Sequence, residues 1–268
     1  MEAIKQPYIA YTYAANATKR TADKGYLRAG YPQRYINERA FDPERIELAA
    51  DSLVFCMDWT KDFFHYTRPA CPVYHIHPSL LPSYRGYGAI SEQFIKGAAI
   101  SGLTLYKDEQ TGIDSGDILY QEAIRIEHND WPEDFIAKAS KIAAIWIAAM
   151  TSMAAMPSPT PQAELSAFHV QRKRTKQGLL DFNLNALSVY NHIRAYSRPF
   201  FGAYFLHNGE QIKVWRASCE KWSGIYGKPG EIINKSKAGV EIACGEGSIV
   251  LIEIENSRGT QQYDMIEY

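Results

Sequence analysis

The sequence predicts an α/β fold with a mostly parallel sheet, followed by a small C-terminal β-barrel. Short continuous apolar runs in the first half are typical of strands that are covered on both faces. Segments with helical apolar periodicity lie between and after these runs, as in an α/β domain. After a further helix at about 184–197, short strands alternate with glycine turns, a pattern typical of a small barrel.

Five runs in the first half are predicted to be strands. They lie at 7–15, 51–59, 71–78, 101–107 and 116–126. A short helix is expected after the third run, because Ile90, Phe94 and Ile95 fit one helix face. A longer helix is predicted over 133–150, where apolar residues recur every three or four positions, with Asp130 as its N-cap.

A change of composition marks the expected domain boundary. Pro157, Pro159 and Pro161 favour extended backbone and cannot continue a helix, so they indicate a linker. We predict three segments: an α/β domain at 1–156, a linker at 157–182, and a helix with a small β-barrel at 183–268. Within the last segment, "HNGE" between two alternating runs predicts a β-hairpin.

Composition excludes several classes of protein. The formal net charge of −1 does not indicate a broad surface that neutralises phosphates. No apolar run reaches the roughly 18 residues needed to cross a bilayer, so no membrane partner is indicated. Cys56, Cys71, Cys219 and Cys244 form neither a disulfide framework nor a zinc-site spacing. We expect them to be reduced and mostly buried, and the protein to be cytoplasmic.

Two histidines in "HIHPSLLPSYRG" are the strongest candidates for chemistry. His75 and His77 leave the same face of a strand, and Pro78 ends its ladder. The carboxyl end of a parallel strand is where α/β sheets bind their ligands. The pair alone fits a metal site, a catalytic pair or simple strand-end caps. A metal site needs further ligands, for which Asp58 and Asp114 are candidates.

The surrounding motifs resemble the folate-dependent formyltransferase family. Its pattern reads Asn-x-His-x-Ser-Leu-Leu-Pro, a glycine-bearing turn, Thr-Gly-hydrophobic-Thr-Leu-His and then Asp-x-Gly. The matching residues are His77, Ser79, Leu80, Leu81, Pro82, Arg85, Gly86, Gly102, Thr104, Leu105, Asp114, Gly116 and Asp117. The resemblance runs from about residue 50 onward. It is greatest to the methionyl-tRNA formyltransferase-like and amino-sugar N-formyltransferase members, and it implies a Rossmann-like sheet with an OB-like C-terminal barrel.

This chain departs from the family pattern at two places. His75 stands where the family has its catalytic asparagine. The first strand-helix unit of the family is expected to be missing, because "YIAYTYAA" resembles its second strand. Either the chain is a shortened natural variant or its start lies about 30 residues too late, the length of one strand-helix unit. A missing central strand would expose a sheet edge.

The resemblance implies transfer of a formyl group from 10-formyltetrahydrofolate to a primary amine, without a metal. His77 takes the proton-transfer role, which suits a histidine because its reference pKa is about 6.5. Asp114 orients His77 and raises its basicity. His75 takes the place of the amide that donates to the oxyanion, so His75→Asn is expected to keep or raise the rate.

The binding residues are likewise implied by the resemblance. Folate contacts are expected from Met57, Asp58, Trp59, Gly112 and Ile113. Substrate contacts are expected from Ser79, Tyr84, Arg85 and Tyr87. Structural roles stay open for four of the site residues: a turn aspartate at 114, a surface cation at 85, a loop cap at 79 and a core tryptophan at 59.

The amine acceptor is expected to be a nucleotide-linked amino sugar, since Tyr84 and Tyr87 could stack on a base or sugar. Another small amine is the second candidate. A tRNA is the third, because the region at 16–30 is short and only mildly basic. A folate- or nucleotide-binding protein without turnover is the alternative from another class, and a homodimer is one assembly that the sequence allows.

Overall fold

The computed structural model describes residues 9–13, 33–37, 53–57, 72–108, 112–152, 157–163, 167–171 and 173–256. The chain divides into two compact units. The first comprises 1–89, 100–126 and 135–172, and the second comprises 90–99, 127–134 and 173–268. Two short segments of the first half therefore cluster with the C-terminal residues. The domain boundaries given above stay a prediction.

A six-stranded mixed sheet forms the core of the first unit. Its strands are β1 (Ile9–Tyr13), β2 (Gln33–Asn37), β3 (Leu53–Met57), β4 (Val73–His77), β5 (Ile100–Lys107) and β6 (Ile118–Arg125), in the order β2-β1-β3-β4-β5-β6. The pairs among β1 to β4 are parallel, and the pairs β4–β5 and β5–β6 are antiparallel. The predicted α/β class with a mostly parallel sheet is confirmed.

Strand β2 is the one strand of this sheet that no apolar run predicted. It is polar, reading "QRYIN", and it lies at the edge of the sheet. An edge strand needs no continuous apolar run, and polar residues protect it from pairing with other chains. Strand β1 pairs with β2 on one side and β3 on the other, so it does not expose the edge expected from a missing neighbour. A missing strand-helix unit relative to the family stays a prediction.

Two helices follow β4 and β6. The first, α1, covers Ala89–Ile95, and the second, α2, covers Pro132–Ser152. The apolar face predicted for α2 is buried through Phe135, Ala139, Ala143, Ile147 and Met150. Both helices confirm the predicted elements.

The N-cap predicted for α2 is wrong. The helix begins at Pro132, and the Asp130 carboxylate accepts the backbone N–H of Glu127 at 2.7 Å. The residue before the helix is Trp131, whose N–H donates to Asp134 at 2.8 Å. Asp130 therefore closes the preceding turn. Asp134, the third residue of the helix, accepts the backbone N–H just before the helix begins.

The second unit contains a helix and an antiparallel sheet. Helix α3 (Ala186–Tyr196) is capped by Asn185, whose side chain accepts the N–H of Ser188. The strands are β7 (Ala203–His207), β8 (Glu210–Lys221), β9 (Ile232–Ser236), β10 (Gly239–Ala243) and β11 (Ser248–Glu255), in the order β7-β8-β11-β10-β9. This sheet has the architecture expected of the small barrel-like domain.

The predicted hairpin joins β7 to β8. Its turn residues, Asn208 and Gly209, have φ values of +50° and +79°. Positive φ at both central positions matches the twist of the flanking strands, which is why an Asn-Gly pair is favoured there. The hairpin prediction is confirmed.

Cys56, Cys219 and Cys244 are buried, reduced thiols, as predicted, and Cys71 lies outside the described residues. Within the residues that the structure describes, no helix is long and apolar enough to cross a membrane.

Candidate active site

The two histidines of β4 face the same side of the sheet as two residues of β5. His75 is paired with Tyr106, and His77 with Thr104. Because side chains alternate along a strand, these four side chains share one face at the carboxyl end of β4. The antiparallel pairing thus adds β5 side chains to a site that was expected to be formed by the strand of His75 and His77 and by the neighbouring loops.

His77 lies between two hydrogen-bond acceptors. Its Nε2 is 2.9 Å from the carbonyl oxygen of Tyr84, and its Nδ1 is 3.2 Å from Oδ2 of Asp114. The side chain is buried, so water does not compete freely for either nitrogen. A neutral imidazole has one N–H, and only the doubly protonated ring offers a proton to both acceptors.

Asp114 lies in the turn between β5 and β6, with a positive φ of +53°. Oδ2 accepts the N–H of Gly86 at 2.6 Å, and Oδ1 accepts the hydroxyl of Tyr106 at 2.7 Å. Burial acts to raise the pKa of Asp114, but the charge of His77 and these two donors together lower it below its usual value. The residue is indeed in a turn, and its carboxylate is also held ionised against His77.

His75 forms a second histidine–carboxylate pair. Its Nε2 is 2.9 Å from Oδ2 of Asp108, and each side chain is 17% exposed. The ring stacks on Tyr106 with 5.2 Å between the ring centroids. The structure therefore brings together His75, His77 and Asp114, the three predicted catalytic residues.

Tyr106 and Asp108 belong to the same cluster and were missed by sequence reasoning. Tyr106 stands where the family pattern has a histidine. This departure was the sequence signal that could have identified Tyr106 as a site residue. Burial and then the negative charge of Asp114 raise the pKa of Tyr106 well above its usual value. Asp108 directly follows β5, and its N–H donates to the carbonyl of Val73 on β4. Nothing in its local sequence separates it from an ordinary strand-end aspartate.

The loop after β4 is held by side chains of β5 and β6. Thr104 donates to the carbonyl of Ser79 at 2.6 Å and accepts the N–H of Leu81 at 3.1 Å. Gln121 donates to Thr104 and to the carbonyl of Leu81. The hydroxyl of Ser79 is buried and donates to the carbonyl of Ser83, which is the contact of a loop cap. A substrate contact for Ser79 stays a prediction.

Gln162 connects the two loops that carry the site. Its Oε1 accepts from Nε and Nη2 of Arg85 at 3.1 and 2.8 Å. Its Nε2 donates to the carbonyls of Asp114 and Gly116 at 2.8 and 2.7 Å. Arg85 is 3% exposed, so it is not a surface cation. Part of the segment predicted as a linker therefore belongs to the site.

Two glycines allow these loops to approach their neighbours. A Cβ on Gly86 would lie 2.2 Å from the carbonyl oxygen of Val170, and Gly86 also has a φ of +101°. A Cβ on Gly116 would lie 1.8 Å from the carbonyl oxygen of Lys107. Side chains at these positions would displace the loop backbones that hold Asp114.

The remaining predicted binding residues lie around the cluster. Tyr84 packs edge-on against Phe168, with 4.5 Å between the ring centroids, and Tyr87 is 40% exposed. Ile113 is 49% exposed and follows Gly112 in the turn before Asp114. Met57 ends β3, whereas the predicted folate contacts Asp58 and Trp59 lie outside the described residues. Across the described part of the chain, no group of three or more His, Cys, Asp or Glu side chains is placed to hold a metal.

Fold and site together define an α/β protein with an acid–base cluster at the end of a mixed sheet. A family model described as "Formyl transferase" matches residues 16–151. A second, described as "Formyl transferase, C-terminal domain", matches residues 173–264. The chain belongs to the formyl transferase family.

Curated relatives are methionyl-tRNA formyltransferases. That of Dechloromonas aromatica is 29% identical over 186 residues, which are 69% of this chain and 58% of the relative. That of Syntrophus aciditrophicus is 30% identical over 197 residues, which are 72% of this chain and 62% of the relative. The chain thus spans 58 to 62% of the length of these two relatives.

Solved structures share the fold at low identity. HypX from Aquifex aeolicus in complex with tetrahydrofolic acid has a TM-score of 0.66 at 14% identity, covering 96% of this chain and 45% of its own. The N-formyltransferase from Helicobacter canadensis, with folinic acid and dTDP-3-aminofucose, has a TM-score of 0.66 at 14% identity, covering 92 and 99%. Methionyl-tRNA formyltransferase from Clostridium thermocellum has a TM-score of 0.60 at 19% identity, covering 90 and 100%.

Proposed function

We propose that this protein transfers a formyl group from 10-formyltetrahydrofolate to a primary amine. The observation that carries the proposal is the cluster of two histidine–carboxylate pairs at the carboxyl end of β4. His77 with Asp114, and His75 with Asp108, are partly or fully withdrawn from water. Formyl transfer needs groups that take a proton from the amine and return it to the folate nitrogen, and imidazoles serve near neutrality.

The residues near the cluster suit a folate co-substrate. Ile113, whose apolar side chain is exposed, directly precedes Asp114 in the chain and can offer a surface for a flat ring near the acid–base groups. We assign folate binding to Met57, Gly112 and Ile113, together with Asp58 and Trp59. When bound, 10-formyltetrahydrofolate supplies an activated formyl group; the protein orients it and handles the proton.

We propose a nucleotide-linked amino sugar as the acceptor. Tyr87 presents an exposed ring on the loop after β4, and Tyr84 on the same loop is half-buried against Phe168. Aromatic faces of this kind can stack on a base or a sugar. The fold shared with the Helicobacter canadensis N-formyltransferase, whose structure contains dTDP-3-aminofucose, supports this choice. The cytoplasmic location and a homodimer stay predictions.

The test is release of tetrahydrofolate from 10-formyltetrahydrofolate in the presence of a panel of amines. The panel contains nucleotide-linked amino sugars, small free amines and methionyl-tRNA, with an N-acetylated amino sugar as the control that cannot react. We expect turnover with an amino sugar nucleotide. If only methionyl-tRNA supported turnover, the proposed amino sugar acceptor would be wrong and the tRNA would take its place. Tight binding of a folate analogue without turnover on any amine would contradict the proposed activity.

Methionyl-tRNA is the second acceptor, because both curated relatives described above are methionyl-tRNA formyltransferases. A tRNA acceptor engages phosphates, and its binding weakens steeply as salt increases. The kcat/KM for an amino sugar nucleotide should fall much less between low and moderate salt. Measuring the salt dependence on the active acceptor therefore separates the two.

A further inference from the structure

Among the described residues, one imidazole of the site has a ring nitrogen without a hydrogen-bond partner, and the other does not. His77 faces the carbonyl of Tyr84 with Nε2 and the carboxylate of Asp114 with Nδ1. His75 faces Asp108 with Nε2 at 2.9 Å. In the described part of the chain, Nδ1 of His75 makes no hydrogen bond or ion pair. The two histidines are therefore not equivalent as proton acceptors.

The contacts assign a proton state to each ring. A carboxylate accepts and does not donate, so Asp108 holds a proton on Nε2 of His75 and leaves Nδ1 as the lone pair of a neutral ring. The two acceptors around His77 are both satisfied only when that ring carries two protons. Because two neighbouring imidazoles disfavour double protonation, a proton on His77 opposes a second proton on His75.

We propose that His75, oriented by Asp108, is the general base that takes the proton of the attacking amine. Asp108 is then a positioning residue, and His77, which faces two acceptors, contributes positive charge to the site. This inference rests on the proposed formyl transfer and deepens it. The family resemblance gives proton transfer to His77 and an oxyanion contact to position 75. An asparagine at 75 could not accept the proton, whereas the histidine of this chain can.

The proposed step conserves protons and electrons. The amine nitrogen gives its lone pair to the formyl carbon, and the π electrons of the carbonyl move to its oxygen. The amine nitrogen becomes positively charged when this bond forms, and Nδ1 of His75 takes one proton from it. When the carbonyl forms again, the bond from the formyl carbon to the folate nitrogen breaks, and its electron pair stays on that nitrogen. His75 returns the proton there and ends neutral, as it began.

Charged and titratable groups surround the His75 ring. Among the described residues they are Cys56 on β3, His77 on β4, Tyr106 and Asp108 at β5, and Asp114 in the next turn. Tyr106 stays a neutral phenol across the assay range, because burial and Asp114 raise its pKa well above the usual value. The charges that act on His75 are therefore those of His77, Asp108 and Asp114.

The sign of the pH dependence separates a base from an oxyanion donor. With His75 as the base, the rate of the wild-type protein rises with pH, because only the neutral ring can accept a proton. If His75 instead donated a hydrogen bond to the oxyanion from Nδ1, it would have to be doubly protonated, so the rate would fall as pH rises. His75→Asn should lower turnover at least about 10²-fold and remove the rising limb. Full activity in His75→Asn would overturn the inference.

Asp108→Asn tests the positioning role. The amide oxygen still accepts the Nε2 proton, but the negative charge that strengthens the base is gone. We expect a lower plateau rate, with the rising limb moved to lower pH. His207→Asn, the same change of imidazole to amide on β7, is the matched control and should leave the profile unchanged. An unmoved profile in Asp108→Asn would show that Asp108 has only a structural role and would overturn its assignment.

Nitrogen NMR of histidine-labelled protein tests the proton states without turnover. We expect His75 to carry its proton on Nε2 alone, and His77 to carry protons on both nitrogens, near about pH 7. A proton on Nδ1 of neutral His75 would overturn the inference. If no amine supports turnover of the wild-type protein, the proposed function fails, and the ring-nitrogen spectra still decide how the two histidines share the proton.

Discussion

Buried carboxylates occur in both units of the protein, and they are satisfied in different ways. Asp114 in the first unit is held by His77, the N–H of Gly86 and the hydroxyl of Tyr106. Glu241 in the second unit accepts from Lys221 and from the hydroxyl of Ser248, both at 2.6 Å. For each, burial acts to raise the pKa, and the surrounding donors lower it below the usual value.

The difference lies in the cationic partner. Lysine stays charged at any physiological pH, so the Lys221–Glu241 pair is a fixed contact between β8 and β10. A histidine changes its charge near neutrality, so the His77–Asp114 pair can respond to a proton that moves nearby. Asp114 has three partners and Glu241 has two, and the kind of cation among them makes one pair a chemical site and the other a structural contact.

Of the variants that test this difference between the two units, His77→Ala should lower turnover most. It removes the titratable partner of Asp114 and the contact to the Tyr84 carbonyl, and turnover should fall at least about 10²-fold. Lys221→Met, the corresponding change in the second unit, should leave turnover unchanged. Activity of His77→Ala above a few per cent of wild type, measured on the active amine, would contradict the assignment.

Asp114→Asn should lower turnover by about 10- to 100-fold, because the ionic partner that keeps His77 charged is lost. The pH–rate profile should change shape as well as height. Glu241→Gln is the matched control, and we expect it to leave the profile unchanged. An Asp114→Asn enzyme with a wild-type profile would count against the pairing.

The two carboxylates should nevertheless affect stability with the same sign. Their folded-state pKa values are lowered, so each contributes stability above its unfolded pKa, which is lost as pH falls through the folded value. Asp114→Asn and Glu241→Gln should both flatten the acid slope of the unfolding free energy between about pH 5 and about pH 2. Urea unfolding at a series of pH values checks this. A steeper slope in either variant would be the contrary result.

Gln162→Leu should reduce turnover by about 10-fold, since its amide holds the loops of Arg85 and Asp114 in place. The loss should include kcat, because the amide also holds the backbone of Asp114 and Gly116 in place. Gln177→Leu is the control, as this glutamine accepts one backbone N–H in the second unit. Equal activity of the two variants would mean that Gln162 does not position the site.

Tyr106→Phe and Ser248→Ala should have the smallest effects, and they sharpen the comparison. Each removes one hydroxyl donor from a buried carboxylate, so each should cost about 1–2 kcal/mol of unfolding free energy. Only Tyr106→Phe should also move the pH–rate profile, through Asp114. A profile that moves in Ser248→Ala but not in Tyr106→Phe would reverse the distinction between the two units.

The sequence by itself determined the α/β class and five of the six strands of the first sheet. It also contained the motifs that identified His75, His77 and Asp114 as site residues. The fold class and the strands follow from local periodicity, which needs no distant partner. The three site residues follow from the resemblance of their motifs to the formyltransferase family. The polar edge strand β2 was missed because its residues form no apolar run, and a strand at the edge of a sheet needs none.

Only the tertiary structure decided the partners of the catalytic groups. The register of β4 against β5 places Tyr106 and Asp108 beside His75, and register depends on pairing between segments about 30 residues apart. Gln162 reaches Arg85 and Asp114 from a segment whose prolines indicated only a linker. Side-chain contacts of this kind arise from packing in three dimensions, and no short-range pattern in the chain encodes them.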